Sequence, residues 1–181
     1  MLSLEEALER LLARARPFAE RELVPTAEAL GRVLAEDLVS PLDVPPLANS
    51  SMDGYAVRLS NIPDEGVTLP VSQRVAAGQV GQVLEPGTAA RIFTGAPVPE
   101  GADAIVMQEQ CELLDDGRVR INTVPTPRQW IREQGEDVRR GAVVLARGTR
   151  LTPQAIGLAA TVGAATLAVA RRARVALFST G

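Results

Sequence analysis

Between Pro41 and Gly141 the sequence alternates short apolar segments with clusters of glycine, proline, asparagine and aspartate. Short apolar runs bounded by turn residues are typical of β-strands, so this part of the chain is predicted to be β-rich. Asp115-Asp116-Gly117 predicts a hairpin turn, because glycine accepts the positive φ that such turns require. The predicted strands cover residues 55–59, 69–75, 89–94, 104–108, 111–114, 118–124 and, just beyond this region, 142–145.

Two helices are predicted before this region. Ser3 and Glu6 have the spacing of a capping box, and the helix that they begin has a leucine face and ends before Pro17. A second helix is predicted after Pro25, with Thr26 as its cap. The predicted apolar faces are Leu4, Leu8, Leu11 and Leu12 in the first helix, and Leu30, Val33, Leu34 and Leu38 in the second.

The C-terminal part returns to helix and strand. Thr152-Pro153 predicts the start of a third helix, which ends at Gly163, and residues 165–170 predict a short strand. Residues 175–178 are typical of a fully buried strand, and Ser179-Thr180-Gly181 follows it as a loop. The fold class is therefore α+β and β-rich. We expect the chain to stop where a further α/β domain begins.

The residue types restrict the available chemistry. Histidine and lysine are absent and all 19 basic residues are arginine, so imidazole catalysis and lysine Schiff bases are excluded. The single cysteine, Cys111, excludes an internal disulfide and a thiolate zinc site. A protein-bound metal would be a hard cation on carboxylates, with Mg²⁺ as the leading choice. Arginine remains suited to the recognition of oxyanions.

Charge and hydropathy restrict the partners. The formal charge is −3 and aromatic residues make up only 3% of the chain, which disfavours a nucleic-acid binder or a ligand of acidic membranes. The sequence shows neither a signal peptide nor an apolar run long enough to span a membrane. A cytoplasmic location is therefore expected.

The loop Asn49-Ser50-Ser51-Met52-Asp53-Gly54 places a carboxylate between hydroxyl residues and a glycine. Asp53 could coordinate a cation or hold a substrate hydroxyl. An Asp-Gly pair equally makes a local turn in which the aspartate accepts a nearby backbone amide. The spacing alone favours the local turn.

A second polar loop follows the strand predicted at residues 89–94. Thr94-Gly95, held by prolines, could present a hydroxyl and free amides to an oxyanion. A stiff connection between strands is the commoner explanation. Arg91, beside this loop, is interpreted as a solvated strand residue, and Gln108 as part of a polar sheet edge.

A third polar loop carries Arg132, Glu136 and Asp137. Two adjacent carboxylates after a glycine turn, with an arginine nearby, could bind a unit of Mg²⁺ and phosphate. A surface charge cluster with local salt bridges is the usual explanation of such residues.

Four long segments carry a resemblance in their order along the chain: PLDVPPLANSSMDGYAVR, RIFTGAPVPEGADAIVMQEQ, IREQGEDVRRGAVVLARGTRLTPQAIGLAATVG and VALFSTG. In this order they resemble the molybdopterin molybdenumtransferase family, called MoeA in bacteria and related to the E domain of gephyrin. The resemblance implies an elongated homodimer. Its first domain would comprise residues 1–39 and 142–172, its inserted β-rich domain residues 40–141, and residues 173–181 would begin a pterin-binding α/β domain.

The activity implied by the resemblance is insertion of molybdate into adenylylated molybdopterin, with release of AMP and assistance from Mg²⁺. The implied partners also include the pterin-adenylylating protein. Asp53, Thr94 and Asp137 match functional family positions and are assigned as catalytic. Thr94 would position the oxyanion or the nucleotide phosphate, while Asp53 and Asp137 would organise Mg²⁺ or water. The predicted substrate contacts are Ser51, Gly95, Arg132 and Glu136.

Two other functions stay open at this point. One is a non-catalytic dimerisation or scaffold module of the gephyrin type, and the other is a stand-alone sensor of small anions. The transferase is favoured because a scaffold has no need of Asp53, Thr94 and Asp137 in their motifs. Most of the implied pterin-binding surface belongs to later domains, so we expect the 181-residue chain alone to be inactive.

Overall fold

The computed structural model describes residues 2–16 and 20–179, and the chain divides into two compact units, Met1–Ser40 with Ala142–Gly181 and Pro41–Gly141. The predicted α+β class is confirmed. Neither helix in the described ranges is long and apolar enough to cross a membrane.

The elements of the described residues are α1 (Leu4–Arg14), β1 (Arg21–Pro25), β2 (Leu38–Val39), β3 (Asn49–Ser50), β4 (Gly54–Val57), β5 (Val67–Val75), β6 (Ala89–Ile92), β7 (Ala104–Met107), β8 (Cys111–Leu113), β9 (Arg118–Ile121), β10 (Ile131–Arg132), β11 (Val143–Leu145), α2 (Pro153–Thr161) and β12 (Thr166–Ala170), with 3₁₀ turns at Thr26–Glu28, Leu59–Asn61 and Gln108–Gln110.

The first unit packs α2 with two small antiparallel sheets, β1–β12 and β2–β11. Thr152 caps α2 as predicted, because its Oγ1 accepts a hydrogen bond from the amide of Ala155 (3.3 Å). Pro153 occupies the first helical turn, where its missing N–H costs nothing. The buried apolar side chains of this unit are Ala29, Leu34, Leu151, Ala155, Ala159, Leu167 and Val169.

The predicted second helix is wrong, since only a 3₁₀ turn forms at Thr26–Glu28. The Thr26 hydroxyl does not cap a helix and instead donates to the carbonyl oxygen of Ala164 (2.5 Å). Gly31, with φ of 75°, then turns the chain away from a helical path. Leu34 is the one residue of the predicted stripe that is buried. Hydrogen bonds to a segment far along the chain therefore outweigh the helical spacing of apolar residues in this segment.

The predicted first helix is confirmed as α1, together with its capping box. The amide of Ser3 donates to Glu6 Oε2 (2.8 Å), and the amide of Glu6 donates to Ser3 Oγ (3.2 Å). Its leucine face is exposed, however, and α1 contains no buried residue. The helix thus presents an apolar face, formed by Leu4, Leu8, Leu11 and Leu12, that no described part of this chain covers.

The second unit contains a six-stranded sheet in the order β7-β4-β6-β5-β9-β8. The nine-residue strand β5 joins its two parts, pairing in parallel with β6 and antiparallel with β9. β4 is buried throughout. Alternate residues of β4 enter different apolar clusters, Tyr55 and Val57 in one and Ala56 in the other, because successive side chains of a strand point to opposite faces.

The sequence predicts the six strands of this sheet to within a few residues, but not the two-residue strands β3 and β10 of the same unit. The hairpin between β8 and β9 is confirmed. There the amide of Leu114 donates to the carbonyl oxygen of Arg118 (2.8 Å). The strand predicted at residues 175–178 is not formed, and Leu177 and Phe178 are about 90% exposed. A strand needs a neighbour to pair with, and no described strand pairs with this segment. The end of the predicted loop, Thr180-Gly181, lies outside the described residues.

Gly54 occupies a position where a side chain has no room. A Cβ added there would lie 2.0 Å from the carbonyl oxygen of Val106 on β7. Because β4 is buried, Gly54→Ala must push these two strands apart. We expect the free energy of unfolding to fall by about 1–3 kcal/mol or more, measured by urea unfolding monitored by circular dichroism.

The control is Gly157→Ala in α2, where an added Cβ meets no atom within 4 Å. Alanine is the better helix former, so this variant should gain about 0.5–1 kcal/mol. An equal loss of stability in both variants would contradict the steric explanation.

Candidate functional site

Asp53 and Thr94 are in direct contact although 41 residues separate them. Asp53 Oδ1 accepts hydrogen bonds from the Thr94 amide (2.8 Å) and from Thr94 Oγ1 (2.7 Å). Asp53 precedes β4 and Thr94 follows β6, and the antiparallel register pairs Gly54 with Ile92. The sheet therefore brings the two loops to one edge. The carboxylate bridges two distant loops and does not make the local turn that its spacing favours.

Ser50 performs the local role instead. Its buried side chain donates to the carbonyl oxygen of Met52 (2.5 Å) and accepts from the amide of Met52 (3.2 Å). Its backbone joins the same two loops, since its amide donates to Ala96 O (3.0 Å) and its carbonyl oxygen accepts from the Gly95 amide (2.8 Å). The side chain of Ser50 thus fixes the loop that carries Asp53, and its backbone ties this loop to the loop that carries Thr94.

The donors of the Thr94 loop are already engaged. Thr94 gives its amide and its hydroxyl to Asp53, and the amides of Gly95 and Ala96 donate to backbone carbonyls. The prediction of free amides for an oxyanion is therefore wrong for this arrangement. What the pair offers is acceptors, because Asp53 Oδ2 has no partner among the described residues and Thr94 Oγ1 keeps its lone pairs. Such a surface suits water, a hydroxyl, a thiol or a cation.

The pKa of Asp53 lies below its ordinary value, mainly because the Thr94 amide and then the Thr94 hydroxyl stabilise the charged carboxylate. The positive charge of Arg91 lowers the pKa further, while partial desolvation acts in the opposite direction. Asp53 is therefore ionised at neutral pH. It is a weak general base, since a low pKa gives a poor driving force for proton abstraction.

Arg91 links β6 to β4 and to the turn after β7, next to the Asp53–Thr94 contact. Its Nη1 donates to the carbonyl oxygen of Gly54 (2.8 Å) and its Nη2 donates to Gln108 Oε1 (2.5 Å). Its guanidinium also lies over the rings of Phe93 (4.5 Å) and Tyr55 (5.2 Å). The interpretation of Arg91 as a solvated strand residue is wrong. The spacing of one strand does not identify the partners that lie across the sheet.

The loop of residues 131–137 forms a separate charge cluster. Arg132 Nη2 donates to both oxygens of Asp137 (2.7 and 2.8 Å), and Arg132 Nε lies 3.7 Å from Glu136 Oε1. The hydrogen bond and charge of Asp137 raise the pKa of Arg132. Both Asp137 oxygens are therefore occupied, as the alternative of a surface charge cluster with local salt bridges predicts.

The Asp53–Thr94 contact and the charge cluster of residues 131–137 lie on either side of strand β3. On one side, Asn49 pairs with Arg132 of β10, and on the other it bridges to Pro97 in the Thr94 loop. Ser51 is linked to the segment that carries the charge cluster, because its amide donates to the carbonyl oxygen of Trp130 (2.9 Å), just before β10. The structure thus brings together Asp53, Thr94 and Gly95 in one group, and Arg132, Glu136 and Asp137 in another. Among the described residues, no hydrogen bond links the predicted site side chains of one group to those of the other.

The predicted Mg²⁺ ligands do not form a self-contained metal site. Over residues 2–16 and 20–179, no group of three or more acidic or cysteine side chains is arranged to hold an ion. Asp53 offers one unpartnered oxygen, whereas both oxygens of Asp137 already accept a hydrogen bond from Arg132. Mg²⁺ is commonly held by one or two carboxylates that substrate phosphates and water complete. Binding of Mg²⁺ by Asp53 and Asp137 therefore stays a prediction.

Comparisons with known proteins identify the family of this chain. The sequence model of the family described as "MoeA N-terminal region (domain I and II)" matches residues 2–163. A molybdopterin molybdenumtransferase of Haemophilus influenzae is 43% identical over 182 residues, covering 100% of this chain and 45% of that protein. Molybdopterin molybdenumtransferase 2 of Mycobacterium tuberculosis is 47% identical over 163 residues, covering 87% and 40%.

A solved structure gives the same result for the fold. The crystal structure of the molybdopterin biosynthesis MoeA protein from Pyrococcus horikoshii OT3 matches with a TM-score of 0.87 and 35% identity, over 93% of this chain and 46% of that chain. The chain therefore belongs to the MoeA family and has the β-rich α+β fold of its N-terminal region. It spans less than half the length of these relatives.

The lowered pKa of Asp53 predicts a pH-dependent contribution to stability. Its folded pKa lies below the unfolded value near 3.8, so the contribution is complete well above that value and is lost as the pH falls through the folded pKa. The difference in free energy of unfolding between the wild type and Asp53→Asn should stay constant from pH 7 to about pH 5 and shrink below it. Urea unfolding at a series of pH values measures this difference.

Asp64→Asn provides the matched control, because Asp64 is exposed and has no ion pair or hydrogen bond within the described chain. This variant should not show the shrinking difference. A difference for Asp53→Asn that persists unchanged below pH 3 would contradict the role of its charge.

Proposed function

We propose that this chain supplies one part of the active site of a molybdopterin molybdenumtransferase, which inserts molybdate into adenylylated molybdopterin and releases AMP. The observation that carries the proposal is the contact between Asp53 and Thr94, because two motif loops of a MoeA chain converge on one carboxylate. The names of the relatives support the same chemistry. A cytoplasmic location and a pterin-adenylylating partner protein belong to this proposal.

The electrostatics of the pair define its role. Ionised Asp53 repels molybdate, which is itself an anion, so the pair does not hold the metal oxyanion. Its free carboxylate oxygen and the Thr94 hydroxyl oxygen instead accept hydrogen bonds from donors of the substrate or from water. Molybdate then has to be held by cationic or amide donors outside this pair. The carboxylate orients its partners and does not abstract protons, because its pKa is lowered.

Substitutions at the pair test this role in the full-length protein. Asp53→Asn and Thr94→Val should each lower the rate of AMP release from adenylylated molybdopterin and molybdate by about tenfold or more. Asp53→Asn removes the negative charge of the acceptor, and Thr94→Val removes the hydroxyl that donates to it. Single-turnover assays with chromatographic detection of AMP measure the rate.

Thr94→Ser is the control, because serine keeps both donors to Asp53 and should retain most of the activity. Full activity in Asp53→Asn and Thr94→Val together would rule out the proposed role and favour the scaffold function of the gephyrin type.

We also propose that the protein is a homodimer. The observation that favours association is the exposed leucine face of α1, whose four leucines are 53–84% exposed. An apolar face of this kind on a helix is stabilised when a second apolar surface covers it. Dimerisation is compatible with both the transferase and the scaffold function.

Charged substitutions on this face test the homodimer. Leu8→Glu combined with Leu12→Glu should convert the dimer to a monomer, because the interface would have to bury two carboxylates. Arg10 lies on the opposite face of α1, so Arg10→Glu should leave the oligomeric state unchanged. Sedimentation equilibrium measures the mass of each variant. An unchanged dimer in the double variant would show that α1 is not the interface.

A further inference from the structure

The unit of residues 41–141 contains a pocket of about 540 Å³ beside the Asp53–Thr94 contact. Neither member of that contact lines it, although the lining residue Phe93 directly precedes Thr94. Its walls are formed by β4, β5, β6 and the hairpin of β8 and β9. The function proposed above does not require this pocket.

Two arginines on neighbouring strands define its chemistry. In the register of the sheet, Arg91 of β6 lies between Tyr55 of β4 and Arg74 of β5, so the three side chains share one face. The guanidinium carbons of Arg91 and Arg74 lie 4.5 and 4.7 Å from the ring centroid of Phe93. One aromatic ring therefore orients both cations toward the same space.

Neither cation is neutralised by a carboxylate within 4 Å among the described residues. The arginines that form ion pairs there are Arg21, Arg32, Arg118, Arg128, Arg132 and Arg171. Arg91 gives its hydrogen bonds to a carbonyl and to an amide oxygen, which carry no charge. Arg74 is exposed, and its side chain forms no hydrogen bond with the described chain. Two positive charges without an ion-pair partner within 4 Å among the described residues attract an anion to one concavity.

The remaining walls set the size and character of that anion. Tyr55, Phe93, Val71 and Leu113 give the pocket apolar surface, which a bare tetrahedral oxyanion would leave uncovered. Pockets of a few hundred cubic ångströms enclose ligands of nucleotide size. The planar guanidinium fork matches the oxygens of a phosphate group. The ligand therefore combines a phosphate with a partly apolar body.

We propose that this pocket binds a phosphate monoester of a partly apolar organic molecule of nucleotide size, with Arg74 as the contact to the phosphate. Arg91 adds positive charge from a fixed position, and Phe93 holds both guanidinium groups. Because the Arg74 guanidinium has no hydrogen bond or ion pair within the described chain, it meets the phosphate without breaking one, and it keeps its contact with the Phe93 ring.

Two matched pairs of probes test the proposal by calorimetric or NMR titration of the intact chain. AMP and phenyl phosphate are phosphate monoesters with apolar bodies, and adenosine and phenol lack the phosphate. We expect the esters to bind at least about tenfold more tightly than the phosphate-free partners and than inorganic phosphate. Failure of both esters to bind, or equally tight binding of inorganic phosphate, would overturn the proposal.

Variants then locate the site. Arg74→Gln should weaken binding of the esters at least about tenfold. Arg120→Gln, at another exposed arginine without an ion pair, on β9, should bind like the wild type. Superimposable unfolding transitions by circular dichroism show that both variants fold. Undiminished binding in Arg74→Gln, with loss in Asp53→Asn, would place the esters at the Asp53–Thr94 contact and contradict this proposal while sparing the transferase function.

Discussion

The register of β4 between its neighbours β7 and β6 is the constraint on which the candidate site depends. β4 is buried on both faces, and the absence of a side chain at Gly54 lets β7 approach it closely. A shift of one residue would exchange the faces of Tyr55 and Ala56, which belong to different apolar clusters. The same shift would move Asp53 away from Thr94. Apolar packing thus positions a polar contact that has little intrinsic strength, since it is exposed to solvent.

Two regions of opposite charge lie within a few residues of each other at strand β6. At its end, Thr94 and Asp53 present acceptors and a negative charge. On its face, Arg91 presents positive charge over Phe93 together with Arg74 of the neighbouring strand β5. The modest net charge of the chain therefore conceals a local separation of charge. A ligand that carries both donors and a phosphate would find a complementary partner for each along one strand.

Much of the fold follows from the sequence because its determinants are local. The turn residues delimit the strands of the β-rich unit, and the caps at Ser3 and Thr152 mark the helix starts. The helix after Pro25 could not be excluded from the sequence, because Thr26 bonds a carbonyl 138 residues away. The contact between Asp53 and Thr94 is equally non-local. Spacing favoured a plain turn there, and the resemblance selected both residues without showing that they touch.

The uncovered face of α1 has a consequence for the folding of the helix itself. Isolated helices of eleven residues are marginal in water, and α1 buries no side chain within the described chain. Its capping box and its terminal charges contribute only modestly to its stability. In the proposed homodimer, formation of α1 would therefore be thermodynamically linked to association. The partner surface that covers the leucines would also order the helix, so helix formation would depend on the protein concentration.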